Sequence, residues 1–420
     1  MTKVMLLAAG LGTRLRPLTN QVTKCLVPIA GRPLLDYWVE KIIEAGITEA
    51  LLNTHHLAGQ VRDYIEQLDE NLQLIEFYEP KLLGSAGTIA ANPDFADDAD
   101  EIIIIYADNF SNVNLAELLN FHRQHPDPIT MLLFHAPKPK ACGIAELDAQ
   151  NRIISFEEKP KQPKTDFANA GIYVIDSKTY REVAAMQVFD LGFDVLPKFV
   201  GKMRGWVWDG YHTDIGTYKT YLQAQRDAVE LTSDKFNQGR PAIFLDRDGT
   251  LIESVHYLSN PEQVQLVPGG GEAIKKLRKA GFACILVTNQ SPIGQGIITE
   301  EDLTEIHKTL SAQLAEYGTQ LDGFYHCPAV PQVKDRTTVD SYDRKPGPGM
   351  LFKAAKEMQI DLTSSWLIGD MISDILAGYH ANCKGLILIE TDRGLEGKTT
   401  LPVKWHTVPD LKTAVELIVN

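Results

Sequence analysis

The sequence predicts an α/β fold with more than one domain. Short apolar runs that resemble strands buried on both faces recur from one end of the chain to the other. Amphipathic segments with apolar residues at helical spacing lie between these runs. The 420 residues are more than a single core usually contains, because domains commonly have about 100–200 residues. We therefore expect sheets covered by helices in at least two domains.

The predicted strands and helices alternate along the chain. Strands are expected at Val4–Ala9, Glu49–Thr54, Ile102–Tyr106, Ile129–His135, Ile172–Ile175, Ala242–Leu245, Ala283–Thr288, Ser365–Ile368 and Gly385–Ile389. Helices are expected at Leu34–Ala45, Asn114–Gln124, Gly271–Ala280 and Glu300–Glu316. Because continuous apolar runs are typical of strands in parallel sheets that helices cover on both faces, we expect parallel pairing.

A polar segment, LTSDKFNQGRP from Leu231 to Pro241, separates the two halves of the chain. It follows a helix-like stretch and precedes a new apolar strand, which is typical of a domain boundary. We expect an N-terminal domain of residues 1–232, a linker of residues 233–240 and a C-terminal domain of residues 241–420. The segments after the boundary do not repeat those before it, so two different domains are expected.

Composition and charge exclude several classes of protein. The chain is 44% apolar and 23% charged, as folded globular proteins are. Its net charge is −14 and both halves are acidic, so it lacks the basic surface with which proteins hold DNA or RNA. No apolar run reaches the ~18 residues of a membrane span, and the 5 cysteines form no CxxC pair. The sequence predicts a cytoplasmic protein that binds neither nucleic acid nor membrane.

The first predicted strand leads directly into a glycine-rich loop, LAAGLGTRLRPLT from Leu7 to Thr19. Glycines allow backbone N–H groups to approach a polyphosphate, and Arg14 would add a charge-assisted contact. A plain strand-to-helix turn would explain the glycines alone. The continuation TKCLVPIAGRPLL, which contains Lys24, favours a phosphate site instead. The candidate nucleotide-binding residues of the loop are Ala8, Gly10, Gly12 and Thr13.

These motifs resemble those of the sugar-1-phosphate nucleotidyltransferases, which condense a nucleoside triphosphate with a sugar 1-phosphate and release pyrophosphate. The family signature, GxGTRxxPxT and then PKxxxPxxGxP, corresponds to Gly10–Thr19 and Lys24–Pro33. One position departs, because Thr23 stands where the family usually has proline. The resemblance implies a Rossmann-like fold for the N-terminal domain.

Further motifs match the same family in the family's own order. The resemblance implies contacts with the nucleobase, the sugar or its phosphate for Gly84, Gly87, Glu158, Lys159, Asn169 and Gly171. It implies magnesium-binding carboxylates at Asp108, which follows a strand, and at Asp214 in the sequence DIGT. Each motif alone has an ordinary structural explanation, such as a charged turn or a helix cap. Their shared order favours the functional interpretation.

The chemistry that this resemblance implies needs charge neutralisation rather than a covalent nucleophile. Attack of a sugar phosphate on the α-phosphorus brings two anions together. Arg14, Lys24 and a magnesium ion would neutralise that repulsion and the charge on the leaving pyrophosphate. Cys25, next to Lys24, is interpreted as a small packing residue.

Four motifs follow predicted strands in the second half of the chain. The first is Asp246-Arg247-Asp248-Gly249-Thr250, which places two carboxylates at the carboxyl end of a strand, the usual place for a site in a parallel sheet. The other candidate residues belong to the sequences TNQS, RKP and GDMISD and are Thr288, Asn289, Gln290, Ser291, Arg344, Lys345, Asp370 and Asp374.

This set resembles the haloacid dehalogenase superfamily of aspartyl phosphatases over residues 241–420. Within it, FLDRDGT, TNQS, RKP and Tyr257 resemble the branch of heptose bisphosphate and histidinol phosphatases. The resemblance implies a Rossmannoid fold, a nucleophile at Asp246, and an acid and base at Asp248. It implies binding of the sugar phosphate by Tyr257, Thr288, Asn289, Gln290, Ser291, Arg344 and Lys345.

The resemblance also implies a magnesium site in this domain. The Asp246 carboxylate, the Asp248 carbonyl and Asp370 would hold the ion, since magnesium prefers oxygen ligands. Asp374 would either orient these ligands or cap the start of a helix.

The heptose branch usually has a structural zinc site of three cysteines and one histidine before RKP. Here those positions fall at Cys327, Ala329, Ser341 and Asp343. Structural zinc normally needs four such ligands, so we expect no structural zinc.

The sequence therefore predicts a bifunctional enzyme of nucleotide-activated sugar synthesis. It would remove the 7-phosphate of a D-glycero-D-manno-heptose 1,7-bisphosphate and transfer a nucleotidyl group, with GTP favoured over UTP, to the sugar 1-phosphate. One alternative pairs a hexose-1-phosphate nucleotidyltransferase with a histidinol-phosphate-type phosphatase. Another is a sugar-phosphate sensor with one degenerate domain. The sequence leaves a homo-oligomer open.

Overall fold

The computed structural model describes residues 1–68, 71–231, 239–391 and 403–419. The chain divides into two compact units. The first comprises Met1–Leu15, Thr19–Val27 and Arg32–Thr220, and the second Arg16–Leu18, Pro28–Gly31 and Tyr221–Asn420. The predicted linker, residues 233–240, lies outside the described residues except for its last two, and the predicted domain boundaries stay a prediction.

The strands, numbered in chain order, are β1 (Thr2–Leu7), β2 (Pro28–Ile29), β3 (Arg32–Pro33), β4 (Glu49–Thr54), β5 (Gln73–Tyr78), β6 (Glu101–Tyr106), β7 (Asn109–Ser111), β8 (Ile129–His135), β9 (Gly143–Leu147), β10 (Ile153–Glu158), β11 (Phe167–Asp176), β12 (Met203–Val207), β13 (His212–Asp214), β14 (Ala242–Leu245), β15 (Ala283–Asn289), β16 (Gly323–Cys327), β17 (Trp366–Gly369), β18 (Gly385–Ile389) and β19 (His406–Val408).

The α-helices are α1 (Leu34–Glu44), α2 (Ala58–Ile65), α3 (Ser85–Ala91), α4 (Leu115–Arg123), α5 (Ser177–Ala185), α6 (Tyr218–Leu231), α7 (Gly270–Lys279), α8 (Ser291–Gly294), α9 (Glu300–Glu316), α10 (Gly349–Met358), α11 (Ile372–His380) and α12 (Leu411–Val419). Each of the four predicted helices is present, with ends within one residue of those expected. Helix α4 begins after Asn114 because that side chain accepts hydrogen bonds from the N–H groups of Ala116 and Glu117.

A nine-stranded mixed sheet forms the centre of the first unit, with the order β10-β9-β11-β6-β1-β4-β5 and with β8 paired to β11 and β12. Strand β1 pairs in parallel with β4 and β6, and β4 with β5. Strand β11, however, runs antiparallel to β6 and β8, so the expectation of parallel pairing is wrong there. A strand buried on both faces has the same apolar pattern in either direction, which is why the sequence did not reveal this.

Alternate residues of β1 belong to two separate cores on the two faces of this sheet. Val4 and Leu6 pack with residues of α1 and α4, such as Trp38 and Leu118. Met5 packs in the other core, with residues of α3 and α5. The strand is therefore buried on both faces, as its continuous apolar run predicts.

A six-stranded sheet with the order β16-β15-β14-β17-β18-β19 forms the centre of the second unit, and its neighbouring strands all pair in parallel. The parallel pairing predicted for this half is confirmed. Strand β14 lies between β15 and β17. From β14 the chain first adds β15 and β16 on one side, and it then adds β17, β18 and β19 on the other side. In open α/β sheets, ligands bind at the carboxyl ends of strands at such a reversal. This edge is where the second set of motifs lies.

Candidate functional site

The loop after β1 turns tightly at Gly12. Its φ is 59°, and a Cβ added there would lie 2.9 Å from Cγ2 of Thr19, so glycine is required. The Thr19 hydroxyl donates a hydrogen bond of 2.7 Å to the Gly12 carbonyl. Gly10 has open space where a Cβ would lie, which leaves its backbone accessible. The N–H of Ala8 is already used, because it donates to Oδ1 of Asn53 at 2.5 Å.

Lys24, which follows this loop in the chain, pairs with two aspartates. Its side chain is buried, and Nζ is 2.5 Å from Oδ2 of Asp108 and 3.6 Å from Oδ1 of Asp214. Nη2 of Arg14, in the short helical turn that begins at Thr13, is 3.9 Å from Oδ2 of Asp214. The structure thus brings Arg14 and Lys24 together with two aspartates that lie far from them in the sequence.

The pairing of two short strands explains how the two aspartates meet. Asp108 immediately precedes β7, and Asp214 ends β13, which runs antiparallel to β7. Burial raises the pKa of Asp214; Lys24 opposes this rise, while Asp108 adds to it. Two neighbouring carboxylates that repel one another, with oxygen atoms as the only ligands, fit a magnesium ion.

The loop before α3 also needs a glycine. Gly84 has a φ of 78°, and a Cβ there would lie 2.3 Å from the carbonyl oxygen of Phe189. That same carbonyl accepts a hydrogen bond of 3.0 Å from the N–H of Ala86. Gly87 lies in the first turn of α3, where a Cβ would lie 3.1 Å from Leu83. The segment at Phe189 therefore packs against this loop and accepts a backbone hydrogen bond from it.

Glu158 ends β10, and Lys159 follows it directly in the chain. Nζ of Lys159 is 4.0 Å from Oε1 of Glu158. Burial raises the pKa of Glu158, and the lysine opposes that rise. The Cys142 thiol has a raised pKa, first because of burial and then because of the charges of Glu158 and Asp214.

Asn169 and Gly171 hold the shape of β11. The Asn169 amide donates to the Tyr173 hydroxyl at 2.7 Å and accepts from the Gly171 N–H at 2.9 Å. Gly171 has a φ of 69°, and a Cβ there would lie 2.9 Å from the ring of Tyr106. Part of the hydrogen-bonding capacity of Asn169 is thus used within the protein.

In the second unit, Asp246 immediately follows β14 and is bound by Lys345. Nζ of Lys345 donates hydrogen bonds of 2.6 Å to Oδ1 of Asp246 and 2.8 Å to the Val287 carbonyl, and it lies 2.6 Å from Oδ1 of Asp374. Burial alone would lower the pKa of Lys345, but the two carboxylates raise it above its ordinary value. Lys345 is therefore a buried cation between two carboxylates.

Three buried carboxylates form a cluster at the same edge of the sheet. Asp246, Asp370 and Asp374 each have an oxygen within 4.8 Å of the others. Burial and then the charges of its two neighbours raise the pKa of Asp370 to about 8. Burial raises the pKa of Asp374 to about 6, against the effect of Lys345. Buried carboxylates that repel one another, with oxygen ligands alone, suit magnesium.

Gly249 leaves room for this cluster. It has a φ of 78°, and a Cβ there would lie 2.6 Å from Oδ2 of Asp370. Asp374, for which the sequence left two roles open, caps the start of a helix, while its role toward the magnesium ligands stays a prediction. Its Oδ2 accepts from the N–H of Met371 at the start of α11, and its Oδ1 is the oxygen beside Lys345.

The side chain of Asp248 is held by two buried neighbours. Arg247 has nitrogen atoms 3.0 and 3.1 Å from Oδ2 of Asp248 and donates to Oε1 of Gln290. Gln290 in turn donates to Oγ1 of Thr288 at 2.8 Å. Burial raises the pKa of Asp248, Arg247 opposes that rise, and the charge of Asp246 adds to it. Gln290, expected to bind the sugar phosphate, is 2% exposed and supports Asp248.

These residues line a cavity of about 750 Å³. Asn289 exchanges hydrogen bonds of 3.0 Å with the backbone of Lys345. Arg344 donates to Oγ of Ser291 at 2.9 Å and to the Ala329 carbonyl at 2.8 Å. Other lining residues, several of them exposed, are Tyr257, Thr288, Lys334, Arg336 and Asp370.

The loop before Lys345 does not fit a structural zinc ion. Of the positions at which the related branch has ligands, Cys327 supplies a thiol and Asp343 a carboxylate, which is two ligand side chains rather than four. Hydrogen bonds hold the loop at other points. Asp340 is 3% exposed and accepts from the Gln332 N–H at 2.6 Å, and Arg344 binds the Ala329 carbonyl.

The sequence interpretation missed two residues that support these sites. Arg247 stands between Asp246 and Asp248, and a charged residue at the end of an apolar strand was a usable signal. Asn53 lies near the carboxyl end of β4, next to β1 in the sheet, and binds the backbone at Ala8. A polar residue at that end of a buried strand was likewise a usable signal.

Comparisons with known proteins match the two halves of the chain to two different families. Residues 3–230 match the family model described as nucleotidyl transferase, and residues 342–414 match the model described as HAD-hydrolase-like. The nucleotidyl transferase model covers more than half of the chain.

Curated relatives divide in the same way. A D-glycero-beta-D-manno-heptose-1,7-bisphosphate 7-phosphatase of Pasteurella multocida is 36% identical over 179 residues, which are 42% of this chain and 97% of that protein. The enzyme of the same name from Escherichia coli K12 is 34% identical, over 42% of this chain and 94% of its own length. A Sulfolobus acidocaldarius protein, assigned provisionally as a mannose-1-phosphate guanyltransferase, is 27% identical over 57% of this chain and 66% of its own length.

Among solved structures, a provisionally assigned glucose-1-phosphate thymidylyltransferase from Bacillus anthracis matches with a TM-score of 0.50 and 25% identity. The match covers 54% of this chain and 95% of that one. It agrees with the Rossmann-like fold predicted for the N-terminal half. Within the described ranges of the chain, no helix has the length and apolar character that crossing a bilayer requires.

Proposed function

Because the chain belongs to the nucleotidyl transferase family through its N-terminal part and to the heptose-bisphosphate phosphatase family through its C-terminal part, we propose that it catalyses two consecutive steps of activated-sugar synthesis. The phosphatase domain removes the 7-phosphate of D-glycero-D-manno-heptose 1,7-bisphosphate. The nucleotidyltransferase domain then transfers GMP from GTP to the remaining 1-phosphate and releases pyrophosphate. Both reactions take place in the cytoplasm, where nucleoside triphosphates are available.

The observation that carries this proposal is that each unit has its own set of opposed charges suited to phosphate chemistry. In the first unit, Lys24 is within ion-pair distance of Asp108 and Asp214. In the second, Lys345 contacts Asp246 beside the carboxylate of Asp370. The two reactions also fit together, because the product of the phosphatase keeps the 1-phosphate that the transferase needs.

In the phosphatase, an Asp246 oxygen attacks the phosphorus of the 7-phosphate, and the bond from that phosphorus to the sugar oxygen breaks. Asp248 donates its proton to the departing sugar oxygen and then accepts one from the water that hydrolyses the aspartyl phosphate. The raised pKa of Asp248 favours the protonated form that the first step needs. Arg247 and Gln290 keep its carboxyl group in place.

A magnesium ion bound by Asp246, Asp370 and the Asp248 carbonyl would neutralise charge on the phosphoryl oxygens. Lys345 and Thr288 also bind these oxygens, because both line the cavity at the nucleophile. Asp374 is 1% exposed and lies 2.6 Å from Nζ of Lys345, so it helps to hold the lysine in place.

In the transferase, an oxygen of the sugar 1-phosphate attacks the α-phosphorus of GTP, and the bond from that phosphorus to the bridging oxygen breaks. Lys24 and Arg14 stabilise the negative charge that collects on the departing pyrophosphate. Arg14 reaches the substrate readily, because 68% of its side chain is exposed. A magnesium ion bound by Asp108 and Asp214 would reduce the repulsion between the two substrates.

The choice of GTP is supported by the Sulfolobus acidocaldarius relative, whose name states a guanyltransferase. The choice of heptose is supported by the names of the Pasteurella multocida and Escherichia coli phosphatases, which the chain matches over nearly their full length. Those names also state the β anomer, which we adopt for the substrate.

The deciding experiment supplies the purified protein with D-glycero-β-D-manno-heptose 1,7-bisphosphate, magnesium and one of GTP, UTP, ATP or CTP. We expect inorganic phosphate in every reaction and pyrophosphate with GTP. Histidinol phosphate and mannose 1-phosphate serve as the competing substrates. Phosphate release from histidinol phosphate but not from the bisphosphate would overturn the heptose assignment. Pyrophosphate release with UTP alone would overturn the choice of base.

A further inference from the structure

Asn53 joins two loops of the first unit through a side chain that is 4% exposed. Its Oδ1 accepts hydrogen bonds from the N–H groups of Ala8, at 2.5 Å, and Ala9, at 3.2 Å. Its Nδ2 donates to Oε1 of Glu79 at 2.8 Å and to Oγ1 of Thr88 at 3.0 Å. Both ends of the amide are thus used, one toward the glycine loop and the other toward α3.

Glu79 is a fully buried carboxylate that the proposed chemistry does not use. Besides the Asn53 amide, it accepts from Oγ1 of Thr88 at 2.6 Å and from the N–H of Leu83 at 3.0 Å. These three donors are neutral. Burial of a carboxylate costs much free energy unless hydrogen bonds satisfy it, so each of these donors matters. An apolar core would avoid that cost, which indicates a role beyond packing.

The neighbours of the Asn53 side chain determine which way its amide points. In the reversed orientation, Oδ1 of Asn53 would face the Glu79 carboxylate, and Nδ2 would face the N–H groups of Ala8 and Ala9. Both contacts would be repulsive, so only one orientation satisfies the network. The Thr88 hydroxyl is also 3.1 Å from the Gly84 carbonyl, which extends the network to the start of the second loop.

We propose that Asn53 is a positioning residue for nucleotidyl transfer, one that fixes the spacing between the glycine loop at Ala8 and the loop that leads into the first turn of α3, residues Gly84–Thr88. The inference rests on the proposed function, in which the first loop binds the phosphates and the second the nucleobase of one nucleotide. A rigid ligand that spans two loops binds well only when their separation is fixed in advance. A satisfied buried network provides such rigidity.

The test compares variants of the full chain for pyrophosphate release from GTP and heptose 1-phosphate, with GTP binding measured separately by calorimetry. Asn53→Leu removes all the amide hydrogen bonds, and Thr88→Val removes the hydroxyl between Glu79 and Gly84. We expect the KM and Kd for GTP to rise about tenfold or more, about the effect of losing one hydrogen bond. We expect the KM for the sugar 1-phosphate to stay within about twofold, because neither loop is assigned to the sugar.

Two further variants separate positioning from folding. Thr88→Ser keeps the hydroxyl and should restore most of the GTP affinity that Thr88→Val loses. Thr54→Val is the matched control, because Thr54 is the neighbouring buried residue of β4 and its hydroxyl donates to Glu76 rather than to Glu79 or Thr88. It should leave the KM for GTP unchanged. Thermal unfolding of each variant identifies any that fails to fold. If Asn53→Leu fails to fold, the result for Thr88→Val decides the test.

Suppose that the wild type transfers the nucleotidyl group and that Thr88→Val folds. Unchanged GTP affinity in Thr88→Val would then overturn this inference and leave the proposed function standing. An equal loss for GTP and for the sugar 1-phosphate would also overturn it, since that indicates general damage. If the wild type binds none of the nucleoside triphosphates, the proposed function fails and the inference fails with it.

Discussion

Lys345 donates a hydrogen bond of 2.6 Å to Asp246, and the lysine is 4% exposed. The same ammonium group lies 2.6 Å from Asp374. The ammonium group of Lys345 therefore lies between two of the three carboxylates of the cluster of Asp246, Asp370 and Asp374, and its positive charge offsets part of their mutual repulsion.

Replacing Asp246 should abolish the phosphatase reaction. Asp246→Asn leaves the size of the side chain unchanged but removes the attacking oxygen anion, so phosphate release should fall about 10³-fold or more. Nucleotidyl transfer from added heptose 1-phosphate should be unaffected. Both are measured on one preparation, by phosphate and pyrophosphate release. Asp302→Asn, which weakens a cap on α9 only, is the matched control. Phosphate turnover that survives in Asp246→Asn would show that the nucleophile is another residue.

The magnesium requirement of the phosphatase should depend on pH. Burial and neighbouring charges raise the pKa of Asp370 to about 8, and magnesium binds the deprotonated carboxylate. Below that pH, binding must displace a proton. We therefore expect the magnesium concentration for half-maximal phosphate release to rise as the pH falls from 8 to 6. Titrations at three pH values measure it. A requirement that does not change with pH would contradict this account of Asp370.

The same shift predicts how the metal-free protein responds to pH. A carboxyl whose pKa is raised on folding stabilises the folded state fully below its ordinary pKa, and this contribution is lost as the pH rises through the raised value. With EDTA present, the second unit should therefore lose thermal stability between about pH 4 and pH 8. In Asp370→Asn, which cannot ionise, this part of the loss should disappear. A variant with an unchanged pH dependence would exclude Asp370 as its origin.

The sequence predicted those features that depend on local signals. The α/β class follows from apolar runs that alternate with amphipathic segments, and the position of Asp246 follows from a strand that ends at Leu245. Helix α9 begins and ends where its apolar spacing predicts, and its start is fixed by a reciprocal cap between Thr299 and Asp302.

Features that depend on contacts between distant segments were not predictable. The antiparallel direction of β11 can be predicted only when its partner strands are known, since its pattern of buried residues would be the same in a parallel pairing. The pairing of Asn53 with Glu79 joins residues 26 positions apart through a fold in which β4 lies beside β5. The role of Gln290 in holding Asp248 likewise depends on the adjacent placement of β14 and β15.

Lys24 should be required for nucleotidyl transfer. Its Nζ lies within ion-pair distance of Asp108 and Asp214, so its removal leaves the repulsion between these carboxylates uncompensated. In the proposed mechanism it also removes a cation that stabilises the departing pyrophosphate. Lys24→Met should lower kcat for pyrophosphate release about 10²-fold or more. Phosphate release by the second unit should be unchanged. Lys164→Met is the control, since Lys164 is exposed and pairs with Glu146. A Lys24→Met enzyme with more than half of the wild-type rate would remove Lys24 from the mechanism.

Lys334 and Arg336 should determine the preference of the phosphatase for a bisphosphate. Both line the cavity that contains Asp246, and both are exposed. A sugar bisphosphate carries a second phosphate that is retained, and two cations on the cavity wall can hold it by charge-assisted hydrogen bonds. Replacing both by alanine should raise the KM for heptose 1,7-bisphosphate about tenfold or more, because such contacts contribute about 1.5–3 kcal/mol each. Hydrolysis of p-nitrophenyl phosphate, which has one phosphate, should be unchanged in this double variant. Lys308→Ala is the control variant, because Lys308 pairs with Glu305, and it should hydrolyse both substrates as the wild type does. Equal losses for the two substrates would show that these cations serve the reacting phosphate or the loop itself.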